Sequence, residues 1–252
     1  MSQQPWRACA ELEQWRKTPI PPQTKKYHSL SLPATLAVFQ SSPWTASLIS
    51  KSDYRPIETS ARVKKPLGED AFFAETIATP TTIPHCLSLQ RRNPSPPPSE
   101  APFLPPPPAK WPKIATPPDL ITLWDFGNPG ISGHPNTAHG GVLSTLIDEM
   151  MSVAIAMHIP GYTFNEATER GRIYTLQLDV RFRNPVYVPG LAVLKVWCIA
   201  KVGRKFWLRA QILQEEGLGE QNGGAQPLEW AKKKVVCVEA MGFFVQTTNE
   251  KL

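Results

Sequence analysis

From residue 119 onward, hydrophobic and polar positions fall into regular runs. Leu120-Ile121-Thr122-Leu123-Trp124-Asp125-Phe126 reads as a strand, and Gly127 to Pro135, with three glycines and two prolines, reads as a loop. The segment AHGGVLSTLIDEMMSVAIAMH then carries apolar residues at 142, 143, 146, 147, 150, 151, 153, 154, 155 and 157. This is helical spacing that becomes apolar all round toward its end, as expected of a helix enclosed by a sheet. Pro160-Gly161 ends it. Ile173–Arg183 alternates along its whole length: Tyr174, Leu176, Leu178, Val180 and Phe182 on one face, Thr175, Gln177, Asp179, Arg181 and Arg183 on the other. Asn184-Pro185 closes that strand, Leu191–Val202 and Lys205–Gln214 form a hairpin at Gly203-Arg204, and Trp230–Gln246 follows a Gly/Gln-rich loop at 215–229. One long helix followed by an antiparallel meander predicts an α+β domain in which a curved antiparallel β-sheet wraps a central helix.

The first half is less regular. Residues 1–67 mix short apolar clusters (Leu36–Phe39, Trp44, Leu48-Ile49) with Ser, Thr and Pro, which predicts a partly ordered wrapping segment rather than a domain of its own. Ala71–Ile77 carries a short strand signal. The chain has 28 prolines, roughly twice average usage, and residues 94–118 hold 12 of them. The segment 84–118 is therefore expected to be an extended insertion with neither helix nor central strand. A polyproline ligand reading of PSPPP or LPPPP is weighed against a plain loop between strands, and the loop carries more weight. The expected layout is thus an N-terminal segment at 1–67, one domain at 68–247 with an insertion at about 84–118, and a tail at 248–252.

Charge and cysteines narrow the functional classes. The net charge of +6 comes mostly from residues 1–119, yet no basic stripe interleaved with aromatics suggests nucleic acid. Cys9, Cys86, Cys198 and Cys237 lie far apart without a CxxC pair, which fits scattered thiols of an intracellular protein; Cys198 and Cys237 sit in apolar runs and are expected in the core. No apolar run approaches the ~20 residues of a membrane span. MSQQPWRACAELEQWRKTP makes a weak organellar presequence because of Glu11 and Glu13, and the final Glu250-Lys251-Leu252 departs from a peroxisomal tripeptide at its first position. The expected location is cytoplasmic or mitochondrial.

Candidate chemistry clusters around the helix. His139-Gly140-Gly141 stands at its start, where backbone N–H groups lack partners and two glycines allow close approach of an acyl carbonyl; tight packing and a polar cap explain the same residues. Asp148, between Leu146-Ile147 and Met150-Met151, is a carboxylate on an otherwise apolar helix, suited to a base or nucleophile, with Glu149 as its rival. His139 and Asp148 are nine residues apart, roughly 13 Å along the axis and on opposite faces. They can meet at one carbonyl only if two helices pack antiparallel, which predicts a homodimer with two shared sites.

HGGVLSTLIDE, the strand YTLQLDVRFRNPV and the turn VGRK together resemble the hotdog-fold acyl-CoA thioesterase superfamily, and GEDAFFAET resembles the first strand of its fungal members. The resemblance implies a hotdog fold over residues 68–247 and hydrolysis of an acyl-CoA or acyl-carrier thioester, a reaction of lipid metabolism. It implies that the Gly140 N–H polarises the carbonyl beside His139, that Asp148 is base or nucleophile, and that Thr175 orients the water. Gly141, Asn184, Arg204 and Lys205 would contact coenzyme A, which is part of the substrate; no separate cofactor and no metal are implied. The implied assembly is a homodimer or a dimer of dimers. Where some relatives carry an asparagine six residues before the histidine, this chain has Gly133, with His134 and Asn136 as nearby substitutes. A GxSxG elbow is absent, which disfavours a serine hydrolase. A non-catalytic acyl-binding or scaffold protein and a hotdog dehydratase are the competing functions.

Overall fold

The computed structural model of the protein describes residues 32–66, 68–103, 111, 114–162, 171–216 and 232–247. The presequence-like N-terminus, Cys9, the LPPPP run, the 217–229 part of the Gly/Gln-rich loop and the C-terminal tripeptide lie outside these residues.

Two short helices, α1 (Leu32–Gln40) and α2 (Pro43–Ile49), lead into strand β1 (Tyr54–Ile57). Then come β2 (His85–Arg91), β3 (Leu120–Phe126), the small pair β4 (Ser132–His134) and β5 (Thr137–Ala138), and the 17-residue helix α3 (Gly140–Ala156). Strands β6 (Arg172–Phe182), β7 (Gly190–Val202), β8 (Lys205–Glu215) and β9 (Lys234–Thr247) complete the chain. Seven strands form one antiparallel sheet in the order β1-β2-β3-β7-β8-β9-β6, so β6 is an edge. The α+β class is as expected.

The sheet buries both faces. Against one lies α3, whose Leu143, Leu146, Ile147, Met150, Met151, Val153 and Ala154 share a core with Trp124, Leu194, Leu208, Ala210, Val238 and Phe244. On the other, Phe39 of α1 and Leu48 of α2 cover Leu87, Leu89, Ile121, Leu123 and Val193. Each of these larger side chains contributes roughly 1.5–3 kcal/mol on burial, so the second core holds the described part of the N-terminal segment onto the sheet. Cys198 and Cys237 are buried.

Three local expectations are corrected. Ala71–Ile77 forms no strand: Phe72–Thr76 is a π-helical turn. Phe73 and Ile77, four residues apart, both enter the core, and the half-buried Arg62 guanidinium ties the segment together by donating to the carbonyls of Phe73, Ile77 and Ile83. The segment 84–118 does contain a central strand, because its first part, HCLSLQR, has no proline and β2 inserts between β1 and β3. From its last residue onward, Arg91, Pro94 and Pro97 are half-buried while the residues between them are exposed, a period of three that suits a polyproline turn. Its PxxP face therefore rests on the protein, and the Pro98 carbonyl accepts the Lys201 N–H at 2.8 Å. Finally, the alternation of β6 is broken by a bulge between Thr175 and Gln177. Ile173 precedes it, Leu178 and Val180 follow it, and all three pack against the α3 core, so the bulge shifts Thr175 onto the helix side.

Candidate active site

The approach to α3 is built by a clamp. Ala138 N–H donates to the Val186 carbonyl at 2.8 Å, Val188 N–H to Asn136 at 3.0 Å, and His139 N–H to Ile131 at 2.8 Å. Gln214, 2% exposed, holds the 186–188 turn from beneath: its amide oxygen accepts the Tyr187 N–H at 2.7 Å and its nitrogen donates to the Tyr187 carbonyl at 2.9 Å. No periodicity or motif marks Gln214 for this role. Gly133 backs the same corner, since a Cβ there would lie 3.0 Å from the Cα and Cδ2 of His139. The corner therefore has no room for an asparagine side chain at 133. Asn136, one of the two nearby substitutes, accepts on its side-chain oxygen from Asn128 at 3.2 Å.

His139 is the N-cap of α3, with extended backbone, and its Nδ1 accepts the Gly141 N–H at 3.0 Å. An accepting Nδ1 carries no proton, so the neutral ring holds its proton on Nε2. Gly141, expected to touch the ligand, thus has its N–H taken by the cap. Gly140 keeps an N–H with no acceptor among the described residues, at the positive end of the helix dipole.

Asp148 lies two and a half turns further on, half-buried, and Thr175 Oγ1 donates to its Oδ1 at 2.8 Å. Burial pushes the Asp148 carboxyl above the ordinary carboxylate range, an effect the Thr175 hydrogen bond partly offsets. Glu149, the rival, is half-buried as well.

The expected coenzyme A contacts divide between the ends of the sheet. Val245 of β9 faces both Tyr174 and Lys205, whereas Val238 faces both Phe182 and Ile212. Arg204 and Lys205, both exposed, are thus level with Thr175, while Phe182 lies roughly 23 Å away at 3.3 Å per residue and Asn184 lies beyond it. Asn184 also uses its side-chain nitrogen on the Val236 carbonyl at 2.9 Å. One chain therefore presents two candidate half-sites: Asp148, Thr175, Arg204 and Lys205 at one end, and His139, Gly140, Gly141 and Asn184 at the other. Among the described residues no His, Cys, Asp and Glu side chains group to hold a metal.

Comparison with known proteins agrees with the motif. The thioesterase superfamily model matches residues 135–219, from the approach to α3 through β8, so the expected likeness to that superfamily is borne out. An uncharacterized protein of Schizosaccharomyces pombe is 26% identical over 122 residues, 48% of this chain and 57% of the relative. An uncharacterized mitochondrial membrane protein of Saccharomyces cerevisiae is 23% identical over 99 residues, 39% of this chain and 37% of the relative. The chain thus spans about half the length of the curated relatives it matches. Among solved structures, a thioesterase superfamily protein is 25% identical, covering 50% of each chain with a TM-score of 0.34. An acyl-CoA hydrolase of Staphylococcus aureus in complex with butyryl coenzyme A is 16% identical, covering 49% of this chain and 63% of the other with a TM-score of 0.38. No helix among the described residues is long and apolar enough to cross a membrane.

Proposed function

We propose that this protein is a hotdog-fold thioester hydrolase that cleaves an acyl-CoA or acyl-carrier thioester to the free acid and the thiol, and that it works as a homodimer. The observation that carries the reading is the Thr175–Asp148 hydrogen bond on the helix side of the sheet, with burial raising the proton affinity of that carboxylate. Asp148 takes a proton from water as the oxygen attacks the thioester carbonyl, or attacks the carbonyl itself to form an anhydride that water then hydrolyses; Thr175 holds the carboxylate and orients the water. The oxyanion is received by the Gly140 N–H at the dipole end of α3, and collapse expels the thiolate, which regains a proton.

The two half-sites meet if a second copy packs antiparallel. Edge strand β6 supports this: it is 11 residues long and presents Leu176, 54% exposed, at an edge that pairing would cover. An antiparallel partner sets its Gly140 end beside Asp148, and its Asn184 beside Arg204 and Lys205, whose charges suit coenzyme A phosphates. A mitochondrial location is favoured over the cytoplasm by the name of the budding-yeast relative.

Thiol release from a panel of acyl-CoA esters, with Asp148→Asn alongside, tests this reading. Turnover by the wild type and a loss of about 100-fold or more in the variant is expected for a missing base. Absence of thiol release from every CoA and carrier-protein ester overturns it in favour of an acyl-binding protein.

A further inference from the structure

Gly140 does not face open solvent. A Cβ placed on it would lie 3.0 Å from Cζ and 3.3 Å from Cε1 of Phe182, so the ring of the last β6 residue is seated where a side chain would begin. Because Cα–Cβ bonds in a helix tilt toward its N-terminus, the ring stands on the side of Gly140 that a ligand approaching the first N–H groups must pass. The same ring is 54% exposed. A large aromatic held against a glycine on one side and bare on the other is a half-built apolar wall. The other half of the space falls to whatever occupies the site.

Resting on the hydrolase reading, we propose that Phe182 is a specificity-determining residue that contacts the acyl carbons next to the thioester carbonyl, and that the site takes straight-chain acyl groups in preference to those branched at the α-carbon. A carbonyl oxygen directed at the Gly140 N–H brings its α-carbon against the Phe182 ring, where an extra methyl overlaps it. Glycine at 140 seats the ring as well as admitting the carbonyl. Antiparallel pairing about the middle of β6, residue 177, sets Phe182 opposite residue 172 of a second copy, at the strand end that also carries Thr175, so the wall and the base lie at the same end of the shared site.

The test combines turnover with binding. Straight-chain and α-methyl-branched acyl-CoA esters are compared as substrates, and the matching non-hydrolysable thioethers as ligands, for wild type, Phe182→Leu, Phe182→Ala, Gly140→Ala and the Gly140→Ala/Phe182→Ala double variant. One methyl against an apolar wall discriminates about 10- to 200-fold. Phe182→Ala is expected to reduce the straight-over-branched ratio at least tenfold in kcat/KM and in thioether Kd, with Phe182→Leu between. Gly140→Ala should be less harmful in the Phe182→Ala background than in the wild type, because the ring it collides with is gone. An unchanged ratio in both readouts overturns the proposal while leaving hydrolysis intact. So does a Phe182→Ala protein that light scattering shows as monomer and that regains wild-type selectivity at high concentration, which makes the ring an interface residue. Thioether binding with the expected ratio but no turnover removes the hydrolase reading and keeps the wall; neither binding nor turnover removes both.

Discussion

The two faces of the sheet each withdraw a carboxylate from water, and they treat it oppositely. On the helix side, Asp148 receives one hydrogen bond from a neutral hydroxyl, and burial raises its proton affinity. On the far side, Glu239 lies at a cavity of about 460 Å³ lined by Trp111, Trp197, Arg183, Arg209 and Gln211. Burial there also pushes upward, but Gln211 at 2.9 Å, Arg209 at 3.1 Å and Arg183 at 3.3 Å outweigh it and hold Glu239 below the ordinary range. A carboxylate with two guanidinium partners is a fixed anion that joins β6, β8 and β9. One with a single hydroxyl partner keeps its affinity for a proton and can act as a base. On the proposed reading, chemistry and architecture divide between the faces, although both carboxylates are half-buried.

Exchanging each carboxylate for its amide should separate the two roles. Asp148→Asn is expected to cost about 100-fold or more in turnover while raising the melting temperature at neutral pH. The folded chain binds the Asp148 proton more tightly than the unfolded chain, so its contribution to stability is full at low pH and is lost as pH rises through the folded value. Glu239→Gln should do the reverse: stability falls by about 2 kcal/mol as Arg209 and Arg183 lose their anion, and turnover per folded molecule is unchanged. Its wild-type contribution is present above the unfolded carboxylate value and is lost as pH falls through the lower folded one, so the variant should flatten the acid limb of a melting-temperature profile. A smaller effect is expected from Thr175→Val, which removes the bond that lowers Asp148. The acid limb of kcat/KM should then move to higher pH, with the alkaline plateau reduced less than the acid side. The smallest is expected from Arg204→Ala with Lys205→Ala, where KM for a CoA ester rises a few-fold with kcat kept and the difference fades at high salt.

Long periodic elements were legible in the sequence. Helix α3 and strands β3 and β6–β9 lie within a few residues of where spacing puts them, because each buries a continuous face. What escaped notice depends on contacts with no local signature. Arg62 binding three carbonyls turns AFFAETI into a π-helical segment, and strand β2 was hidden by the prolines that follow it. The site shows the same division. Asp148 stands out by residue type and Thr175 only through the family resemblance, but strict alternation puts Thr175 with Gln177 and Asp179, on the face away from Leu178 and Val180; the β6 bulge joins the pair. Gln214 and Phe182, a buried polar residue and an exposed apolar one, become visible as candidate site residues only through the neighbours the fold gives them.

The central claim, that Asp148 of one subunit acts on a carbonyl held at Gly140 of the other, is tested most directly by mixing two inactive proteins. Asp148→Asn removes the base. Gly140→Pro removes the N–H at a first helical position and also sets a Cβ against the Phe182 ring, after a His139 whose φ of −66° and ψ of 131° suit a residue preceding proline. Refolded together, half of the dimers are mixed and each mixed dimer holds one intact site, so the account predicts recovery of about a quarter of wild-type thiol release. Mixed dimers that form and remain as inactive as either parent would contradict it.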